Sequence, residues 1–489
     1  MRKSLPIALV AGLLGTALVI YGIVSDKLIV SAAVVLIPLA VVAFVKSFDY
    51  AFMSVLLVLL GSFAIPTMAH AVDTVPFGLL VDGLILFSFV SVLAQVARRK
   101  LDFGRVNWDV VAVMGVWFLY CLLELLNPRM LSVKAWFTGM RSYAIYIVCL
   151  FVLTQVAAQR FRDFKLFLEL WSVLVIIASV KVLVQRYVGF TPIDRHFLYV
   201  QEGYMTHIIY YGIRYFSIFS DAANYGGATG MAVAMFLIMG FHERRARRAY
   251  WWTVAGLALV GLFLSGTRSA LVVPVAAILL YLALIRDWKK MIPISLALGA
   301  VVVLLAFTDI GGSVTSIRRA RTIFDRKEDL SYQLRKENQA RLRVLMKPLP
   351  FGNSLSMSGK HGRRYGDSSE ISTIGTDSSL VKVWVESGIV GLLLYLAMMG
   401  YIFVKAAGIV FYKLKDPEVR GLTTGLLASI AGLFVMSTNN EVFMSIPNGM
   451  LVYIALGLIF LSPAYDREVL ERKEKKKQNA GDIADNHQL

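Results

Sequence analysis

The sequence has little of what proteins use to build disulfide frameworks or metal sites. Among its 489 residues there are two cysteines, Cys121 and Cys149. Both lie in apolar stretches, so neither a disulfide framework nor a thiolate metal site is supported. The six histidines are scattered without the spacing of metal ligands. We therefore expect no metal site and no cofactor.

Charged side chains are also scarce. Only 17% of the residues are charged, whereas 57% are hydrophobic, and the mean hydropathy is +0.67. A soluble domain is typically about one quarter charged and nearer to half apolar. The composition therefore predicts a polytopic membrane protein.

The positive charge lies mainly in short segments between the apolar ones. The formal net charge of +18 could by itself suggest nucleic-acid binding. Because the basic residues separate apolar segments, we instead expect no nucleic-acid partner. The C-terminal cluster that includes Arg472, Lys473 and Lys475 predicts a solvated cytoplasmic end that faces membrane lipids.

Apolar segments long enough to cross a membrane recur along the whole chain. About fourteen segments have the required length of roughly 17–25 residues. Their centres lie near Leu14, Val35, Leu57, Ile85, Val113, Val148, Val175, Val233, Leu257, Val273, Leu298, Leu393, Ala428 and Val452. The first, at about 5–24, is long enough to be an uncleaved helix. The predicted fold class is all-α: a polytopic transmembrane helix bundle with a long external loop.

Lysine and arginine in the short loops set the predicted orientation. The basic loops lie at 98–100, 160–165, 244–248, 289–290 and 413–420. They all fall inside if the N-terminus is cytoplasmic, and an even number of spans returns the C-terminus to the cytoplasm. The predicted regions are spans 1–11 in residues 1–307, an external loop at 308–379, spans 12–14 in 380–464 and a cytoplasmic basic tail at 465–489.

Three longer segments are placed outside, at about 127–141, 187–224 and 308–379. In the longest, residues 328–346 combine helix formers with apolar Leu330, Leu334 and Leu342. This pattern predicts an amphipathic helix that lies at the membrane surface. Two prolines and a glycine end the helix, and the segment from there to Thr376 is predicted to be irregular.

Arginines recur on the predicted external side, where the positive-inside tendency makes them scarce. They are Arg141, Arg214, Arg268, Arg318, Arg319 and Arg321. Snorkelling to lipid headgroups is one explanation. Anion binding is the interpretation we prefer, because the guanidinium fork matches phosphate oxygens and an unpaired arginine in the membrane costs a few kcal/mol. The placement predicts a site for an anionic, lipid-carried substrate outside the cytoplasm.

Polar residues at the entrances of three spans are the candidates for this site. Arg214 precedes Asp221, which either caps the helix that follows or pairs with an arginine. Arg268 stands in the sequence S-G-T-R-S-A between two spans. Asp377 is either an N-cap or a carboxylate that takes a proton from a sugar hydroxyl. Glu386, about two and a half helical turns deeper, is either functional or a structural partner of an arginine.

Together these segments resemble the O-antigen ligase and Wzy-type polysaccharide polymerase superfamily, membrane glycosyltransferases of the GT-C type. That family has a serine- or threonine-flanked arginine between two spans, then a long external loop, a histidine–asparagine pair and a leucine-rich span that opens with glutamate and glycine. The matching residues here are Ser265, Gly266, Thr267, Arg268 and Ser269, followed by Leu380, Glu386, Gly388 and Gly391. The resemblance covers about 214–391.

The chain departs from that pattern at one position. Where many ligases have the histidine, this chain has Asp377, followed by Ser378 in place of asparagine. A carboxylate must then serve as the base, or another group such as His361 must do so. The change fits a polymerase or another exopolysaccharide enzyme better than a lipid A-core O-antigen ligase.

The resemblance implies a metal-independent glycosyltransferase on the outer face of the bacterial inner membrane. Its donor would be a glycan repeat unit on undecaprenyl pyrophosphate, and its acceptor a glycan or a lipid-linked glycan. The implied catalytic residues are Arg214, Arg268 and Asp377, with inversion of configuration. The implied substrate-binding residues are Arg141, Arg343, Asp221 and Glu386. Membrane lipids, chain-length regulators and flippases are further expected partners.

Two other classes of function remain open at this point. A flippase or transporter of the same lipid-linked glycan also suits a chain of many spans, although transporters usually place their sites near the midplane and contain internal repeats. A non-catalytic membrane assembly subunit would use the long external loop as a docking surface. The convergence of Arg214, Arg268 and Asp377 in one outward-open cavity would favour the enzyme.

Overall fold

The chain is almost entirely helical in the part that the structure describes. The computed structural model describes residues 38, 40–72, 75–101, 103–209, 212–243, 245–285 and 330–486. Within these ranges the regular extended structure is one antiparallel ladder between β1, Ile208–Ile209, and β2, Gly212–Ile213. The predicted all-α class is therefore confirmed.

The helices follow one another with short connections. They are α1 Phe52–Ala71, α2 Gly78–Ala97, α3 Trp108–Leu123, α4 Val133–Met140, α5 Tyr146–Ala157, α6 Phe161–Tyr187, α7 Pro192–Arg195, α8 Tyr204–His207, α9 Ala222–His242, α10 Arg245–Leu264, α11 Val272–Ile285, α12 Leu330–Leu345, α13 Gly359–Arg364, α14 Glu370–Thr373, α15 Ser379–Gly408, α16 Pro417–Met436 and α17 Asn448–Asn486. Single 3₁₀ turns occupy Glu124–Leu126 and Arg268–Leu271, and single π-helical turns occupy Arg141–Ile145, His196–Val200 and Ile409–Lys413.

Ten helices in the described ranges are long and apolar enough to cross a membrane. One of them, Val133–Ala157, combines α4, the π-helical turn and α5. The helix α10 begins with several arginines and is not among the ten. The predicted centres at Leu14, Val35 and Leu298 lie outside the described residues, and each other centre falls within a described helix. A polytopic membrane protein is confirmed, and the total of about fourteen spans stays a prediction.

The bundle is organised around α9, which packs against α10, α11 and α16. Glycines allow this helix to approach its neighbours closely, as small residues do at helix interfaces in membranes. A Cβ at Gly226 would lie 2.7 Å from the Ser265 Oγ, and a Cβ at Gly230 would lie 2.8 Å from the Val273 Cβ. The first turns of α9 therefore lie directly against the connection between α10 and α11.

Ion pairs hold together the end of the bundle that carries the basic loops. Lys165 at the start of α6 pairs with Glu418 in α16, and Lys473 in α17 pairs with Asp416. The backbone N–H of Phe161 donates to the Glu468 carboxylate at 2.9 Å. Because α17 is one continuous helix, the predicted tail extends the last span and joins it to the starts of α6 and α16.

We predicted that Arg141 would lie in an external loop, but the structure places it within a helix. It follows α4 within the span Val133–Ala157, because the apolar residues of α4 begin this span eight residues earlier. The Arg141 Nη1 is 2.5 Å from the Asp82 Oδ2 on α2. Its charge is therefore compensated inside the bundle, as an intramembrane arginine requires.

The described part of the segment predicted to be external (the external segment), residues 330–379, has more structure than expected. The amphipathic helix is confirmed as α12, whose Leu342 is buried together with Ile371, Ile374 and Val385. Contact of α12 with the membrane surface stays a prediction. The segment that follows is not irregular throughout, because it contains α13 and α14 and because residues 353–358 are buried.

The orientation of the bundle can be tested by cysteine labelling. Lys360 is exposed in α13 and Glu471 is exposed in α17, whereas Ser356 is too buried to serve as a probe. In a Cys149→Ser background, we expect Lys360→Cys to react with an impermeant maleimide in spheroplasts. We expect Glu471→Cys to react only after membrane lysis. The reverse pattern would overturn the predicted orientation.

Candidate functional site

A tight turn between α10 and α11 presents Arg268. Gly266 has a φ of +57°, a left-handed conformation that glycine adopts without strain. The Thr267 N–H donates to the Ser265 Oγ at 3.2 Å, and the Thr267 Oγ donates to the Ala222 carbonyl at 3.1 Å. Arg268 opens the 3₁₀ turn that leads into α11. The predicted S-G-T-R turn is therefore fixed to the first residue of α9.

Arg214 is held against the same turn. Its Nη2 donates to the Thr267 Oγ at 2.9 Å, and its Nη1 donates to the Thr206 carbonyl at 3.1 Å. The Nε is buried and has no hydrogen-bond partner in the structure. Burial lowers the pKa of Arg214 below its usual value, although an arginine remains protonated. The guanidinium is thus fixed by hydrogen bonds to neutral oxygens, which do not compensate its positive charge.

The charges around Arg214 are mostly of the same sign. Its electrostatic neighbours are Asp221, Arg335 on α12 and Arg268. Asp221 is the N-cap of α9. Its Oδ1 accepts from the N–H groups of Ala223 and Asn224 at 2.8 and 2.9 Å. The capping interpretation of Asp221 is therefore correct. In the part of the chain that the structure describes, three guanidinium groups and one carboxylate interact here, a balance suited to an anion.

His207 supports the backbone on which Arg214 lies. The Arg214 N–H donates to the His207 carbonyl at 2.8 Å. The His207 Nε2 accepts from the Ala222 N–H at 3.2 Å, which leaves Nδ1 to donate to the Gly203 carbonyl at 2.8 Å. Burial lowers the pKa of His207, so the neutral ring required by this arrangement prevails at neutral pH.

Asp377 lies at the entrance of α15 and is exposed. Its φ of +52° is left-handed, a conformation that aspartate tolerates better than most residues. The cap of α15 is Ser378, whose Oγ accepts from the Val381 N–H at 3.3 Å. The N-cap interpretation of Asp377 is therefore wrong. Its carboxylate accepts from the Asn338 Nδ2 on α12 at 3.4 Å, so it faces the amphipathic helix.

Asn440 joins the arginine turn to the entrance of α15. Its Nδ2 donates to the Ser269 Oγ. Its carbonyl accepts from the Ser379 N–H at 3.2 Å and from the Ser379 Oγ at 3.1 Å. Asn440 therefore links Ser269, which follows Arg268, to Ser379, the first residue of α15. The structure brings the three predicted segments together at one end of the bundle.

Glu386 lies deeper in α15 and is completely buried. It accepts from the Ser356 N–H at 2.8 Å and from the Ser358 Oγ at 2.5 Å. Gly388 interrupts the helix with a φ of +68°, and a Cβ on Gly352 would lie 2.5 Å from the Glu386 carbonyl. The external segment therefore inserts into the kink of α15. These contacts favour a structural role for Glu386 over a functional one. Its partners are Ser356 and Ser358, and not an arginine as expected.

The two weaker candidates differ in their surroundings. Arg141 points its Nη groups toward Gly78, and Asp82 also accepts from the Tyr146 hydroxyl at 2.7 Å. Arg343 is exposed on α12. Arg141 therefore lies in the bundle as part of an ion pair, while Arg343 lies at the surface of the external segment.

The structure adds an ion pair that the sequence analysis missed. The Lys382 Nζ on α15 is 3.0 Å from the Glu441 Oε2, and the Thr376 hydroxyl donates to the Glu441 Oε1. Burial raises the pKa of Glu441, but the Lys382 charge and the Thr376 hydrogen bond outweigh it and hold this pKa below its ordinary value. The sequence signal for this pair was Lys382, a single charge near the start of an apolar span.

His361 lies near this ion pair. Its charged neighbours are Lys382, Glu441 and Arg364. Desolvation, followed by the Lys382 charge, lowers the pKa of the imidazole. The ring is therefore mainly neutral at pH 7 and able to accept a proton. Among the described residues, no group of three or more His, Cys, Asp or Glu side chains could hold a metal ion.

The structural role of Glu386 can be tested by its removal. Glu386→Ala would leave the Ser356 N–H and the Ser358 hydroxyl buried without an acceptor, at a cost of about 1–3 kcal/mol each. We expect a lower unfolding temperature in detergent and faster proteolysis of the segment 350–366. Glu370→Ala is the control, because the exposed Glu370–Arg341 pair is worth about 0–1 kcal/mol. Equal stability of the two variants would contradict the assigned role.

The comparison with known families supports the resemblance noted in the sequence. Residues 253–396 match the family model described as O-antigen ligase, Wzy_C. This segment contains Arg268, Asp377 and Glu386, and it ends within α15. No curated protein matches the chain. Over residues 253–396, the chain is thus similar to the O-antigen ligase family, in agreement with that resemblance.

Proposed function

We propose that the protein is a glycosyltransferase of the outer face of the bacterial inner membrane. It polymerises or ligates glycan repeat units carried on undecaprenyl pyrophosphate. The observation that carries this proposal is the cluster of Arg214, Arg268 and Arg335 beside the entrance of α15. The family match over 253–396 supports a lipid-linked glycan as the class of substrate.

Arg214 and Arg268 are proposed to bind the pyrophosphate. Cleavage of the anomeric C–O bond leaves negative charge on that group. Positive groups that are already fixed stabilise such charge without reorganisation during the reaction. Because Arg214 is oriented by Thr206 and Thr267, its orientation is set before substrate arrives. In this proposal the guanidinium groups supply the charge stabilisation that a metal ion supplies in other transferases.

Asp377 is proposed to orient or deprotonate the acceptor hydroxyl. The exposed carboxylate lies at the mouth of α15 and contacts Asn338 of the external segment. A base on the face of the sugar opposite the pyrophosphate gives an inverting displacement. If Asp377 does not serve, His361 is the second candidate, since its lowered pKa keeps it neutral.

The remaining predicted residues take supporting roles in this proposal. Asp221 positions α9 beneath Arg214, and Glu386 fixes the external segment. Arg141 and Arg343 are weaker candidates for contact with the carrier or glycan. Grooves between the spans would hold the polyprenyl chain, and flippases and chain-length regulators would be the protein partners.

The location of the polar residues favours the enzyme over a transporter. Transporters typically place their substrate site near the bilayer midplane. Here Arg214 and Asp377 precede the candidate spans that follow them, and Arg268 is the first residue of its candidate span. Glycans of a deletion strain would separate the two enzyme subclasses. A single retained repeat unit would indicate a polymerase, and an unattached lipid-linked polymer would indicate a ligase.

The pyrophosphate role predicts a strict requirement for arginine. We expect Arg214→Ala and Arg268→Ala each to lower transfer from a synthetic lipid-linked repeat unit by about 100-fold or more. Arg214→Lys should also fail, because lysine keeps the charge but lacks the planar fork that contacts both Thr206 and Thr267. Transfer is measured with purified protein whose unfolding temperature equals that of the wild type.

Arg129 provides the matched control for these variants. It is an exposed arginine of the predicted external segment 127–141. Arg129→Ala and Arg129→Lys should keep wild-type transfer. Normal transfer by Arg268→Ala would exclude the pyrophosphate role for that residue, and normal transfer by Arg214→Lys would exclude recognition through the fork.

The base role of Asp377 predicts a large effect of a small substitution. An asparagine side chain at this position would tolerate the left-handed backbone conformation about as well as aspartate, but it cannot take a proton. We expect Asp377→Asn to lower turnover by about 10²–10⁴-fold. Binding of farnesyl pyrophosphate through the arginines should be unchanged, as measured by ³¹P NMR. Wild-type turnover by this variant would remove Asp377 from the mechanism, and His361→Ala would then be the variant to examine.

A further inference from the structure

A cavity of about 380 Å³ opens beside the arginine cluster. Its volume falls within the range of about 300–1,000 Å³ that small-molecule sites occupy. The wall includes Ser220, next to Asp221, and Ser379, which contacts Asn440. The cavity therefore adjoins both the segment that follows Arg214 and the entrance of α15. Asp377 itself does not line it.

The charged side chains in the cavity wall are paired. Arg141 is bonded to Asp82 at 2.5 Å, and Lys382 is bonded to Glu441 at 3.0 Å. Each cation is therefore compensated by a carboxylate within hydrogen-bond distance, whereas the described charges around Arg214 are mainly positive. A ligand with a carboxylate would meet Glu441 without a free cation to compensate it.

The rest of the wall combines hydroxyl groups with apolar side chains. Ser142, Ser379 and Ser445 lie among the lining residues, as do Ile65 and Met444. A pyranose ring has the matching chemistry, because its hydroxyl groups point outward from the ring edge and its C–H groups form apolar faces. Hydroxyl groups and the paired ions can exchange hydrogen bonds with the sugar, and apolar side chains can cover its faces.

We propose that this cavity is a subsite for an uncharged sugar ring of the glycan, a hexose or an N-acetylhexosamine, and that it excludes uronic acids. The proposal rests on the proposed glycosyltransferase function, since it places the ring next to the reacting bond. It divides recognition between two neighbouring regions. The arginine cluster binds the anionic carrier, and the cavity binds the neutral sugar.

Filling the cavity tests the proposal directly. Ala69 lines it from α1, whereas the adjacent Met68 is exposed and does not line it. Ala69→Trp and Met68→Trp therefore form a matched pair of variants. The probes are the methyl glycosides of glucose, galactose and N-acetylglucosamine, together with methyl glucuronide. Binding to the full-length protein in detergent is measured by saturation-transfer-difference NMR.

We expect the wild type and Met68→Trp to give a signal with at least one neutral glycoside and none with the glucuronide. Ala69→Trp should lose the neutral signal and lose transfer activity. A neutral signal that survives in Ala69→Trp would overturn the proposal, as would absence of a signal from all neutral probes. A glucuronide signal in the wild type that Ala69→Trp removes would also overturn it.

A charge variant supplies a second test. Glu441→Gln removes the carboxylate that compensates Lys382, so the cavity should acquire a glucuronide signal. Glu441→Asp keeps the charge and should not. A Glu441→Gln protein that folds, with an unchanged unfolding temperature, and still rejects glucuronide would contradict charge pairing as the basis of selection. If Glu441→Gln does not fold, the binding result for Ala69→Trp decides whether the cavity is a sugar subsite.

Farnesyl pyrophosphate separates failure of this proposal from failure of the proposed function. Its binding, followed by ³¹P NMR, should depend on Arg214 and Arg268 and be unaffected by Ala69→Trp. Intact pyrophosphate binding without a neutral sugar signal would reject the sugar subsite alone. If the folded wild-type protein shows neither pyrophosphate binding nor a neutral sugar signal, the function on which the subsite rests is rejected.

Discussion

The buried carboxyl group of Glu386 is the constraint on which the arrangement of the end of the bundle near Arg214 and Arg268 depends. A carboxyl group in the low-dielectric interior must be hydrogen-bonded, because burial of a polar group without a partner would cost a few kcal/mol. The donors come from Ser356 and Ser358, roughly 30 residues earlier in the chain. To bring them there, the external segment must fold down onto α15 at the Gly388 kink. This places α12 beside Asp377 and Arg335 near Arg214.

Two adjacent regions with different electrostatics result from this folding. Among the described residues, the charged neighbours of Arg214 are two arginines and one aspartate, and its hydrogen bonds are to the neutral oxygens of Thr206 and Thr267. The wall beside Lys382 is balanced by Glu441. A lipid-linked glycan has the same division, since an anionic pyrophosphate is joined to a sugar. The match of charge along the ligand and along the protein is what connects the geometry to the proposed chemistry.

The sequence predicted the spans because long apolar runs are a local property. It identified Arg214 and Arg268 as candidates because arginines are costly at a membrane boundary. It did not predict pairs between distant segments. The partner of Lys382 lies 59 residues away, and the partner of Arg141 lies 59 residues away on another helix. Neither pairing leaves a local signal. The burial of 353–358 was missed for the same reason, since a glycine- and serine-rich segment is typical of loops.

The π-helical turn Arg141–Ile145 divides the span Val133–Ala157 into α4 and α5 and changes the rotation of one about the helix axis relative to the other. A π-turn holds one residue more than an α-turn, so removing that residue would rotate one part relative to the other by about 100°. The part formed by α5 packs on α17, while α4 and the turn face the external segment and the Arg141–Asp82 pair. The extra residue thus sets the rotation of α5 relative to α4, each of which contacts different neighbours. Changes in α4, which contacts Leu355 and Tyr365, can then accumulate without disturbing the packing of α5 on α17.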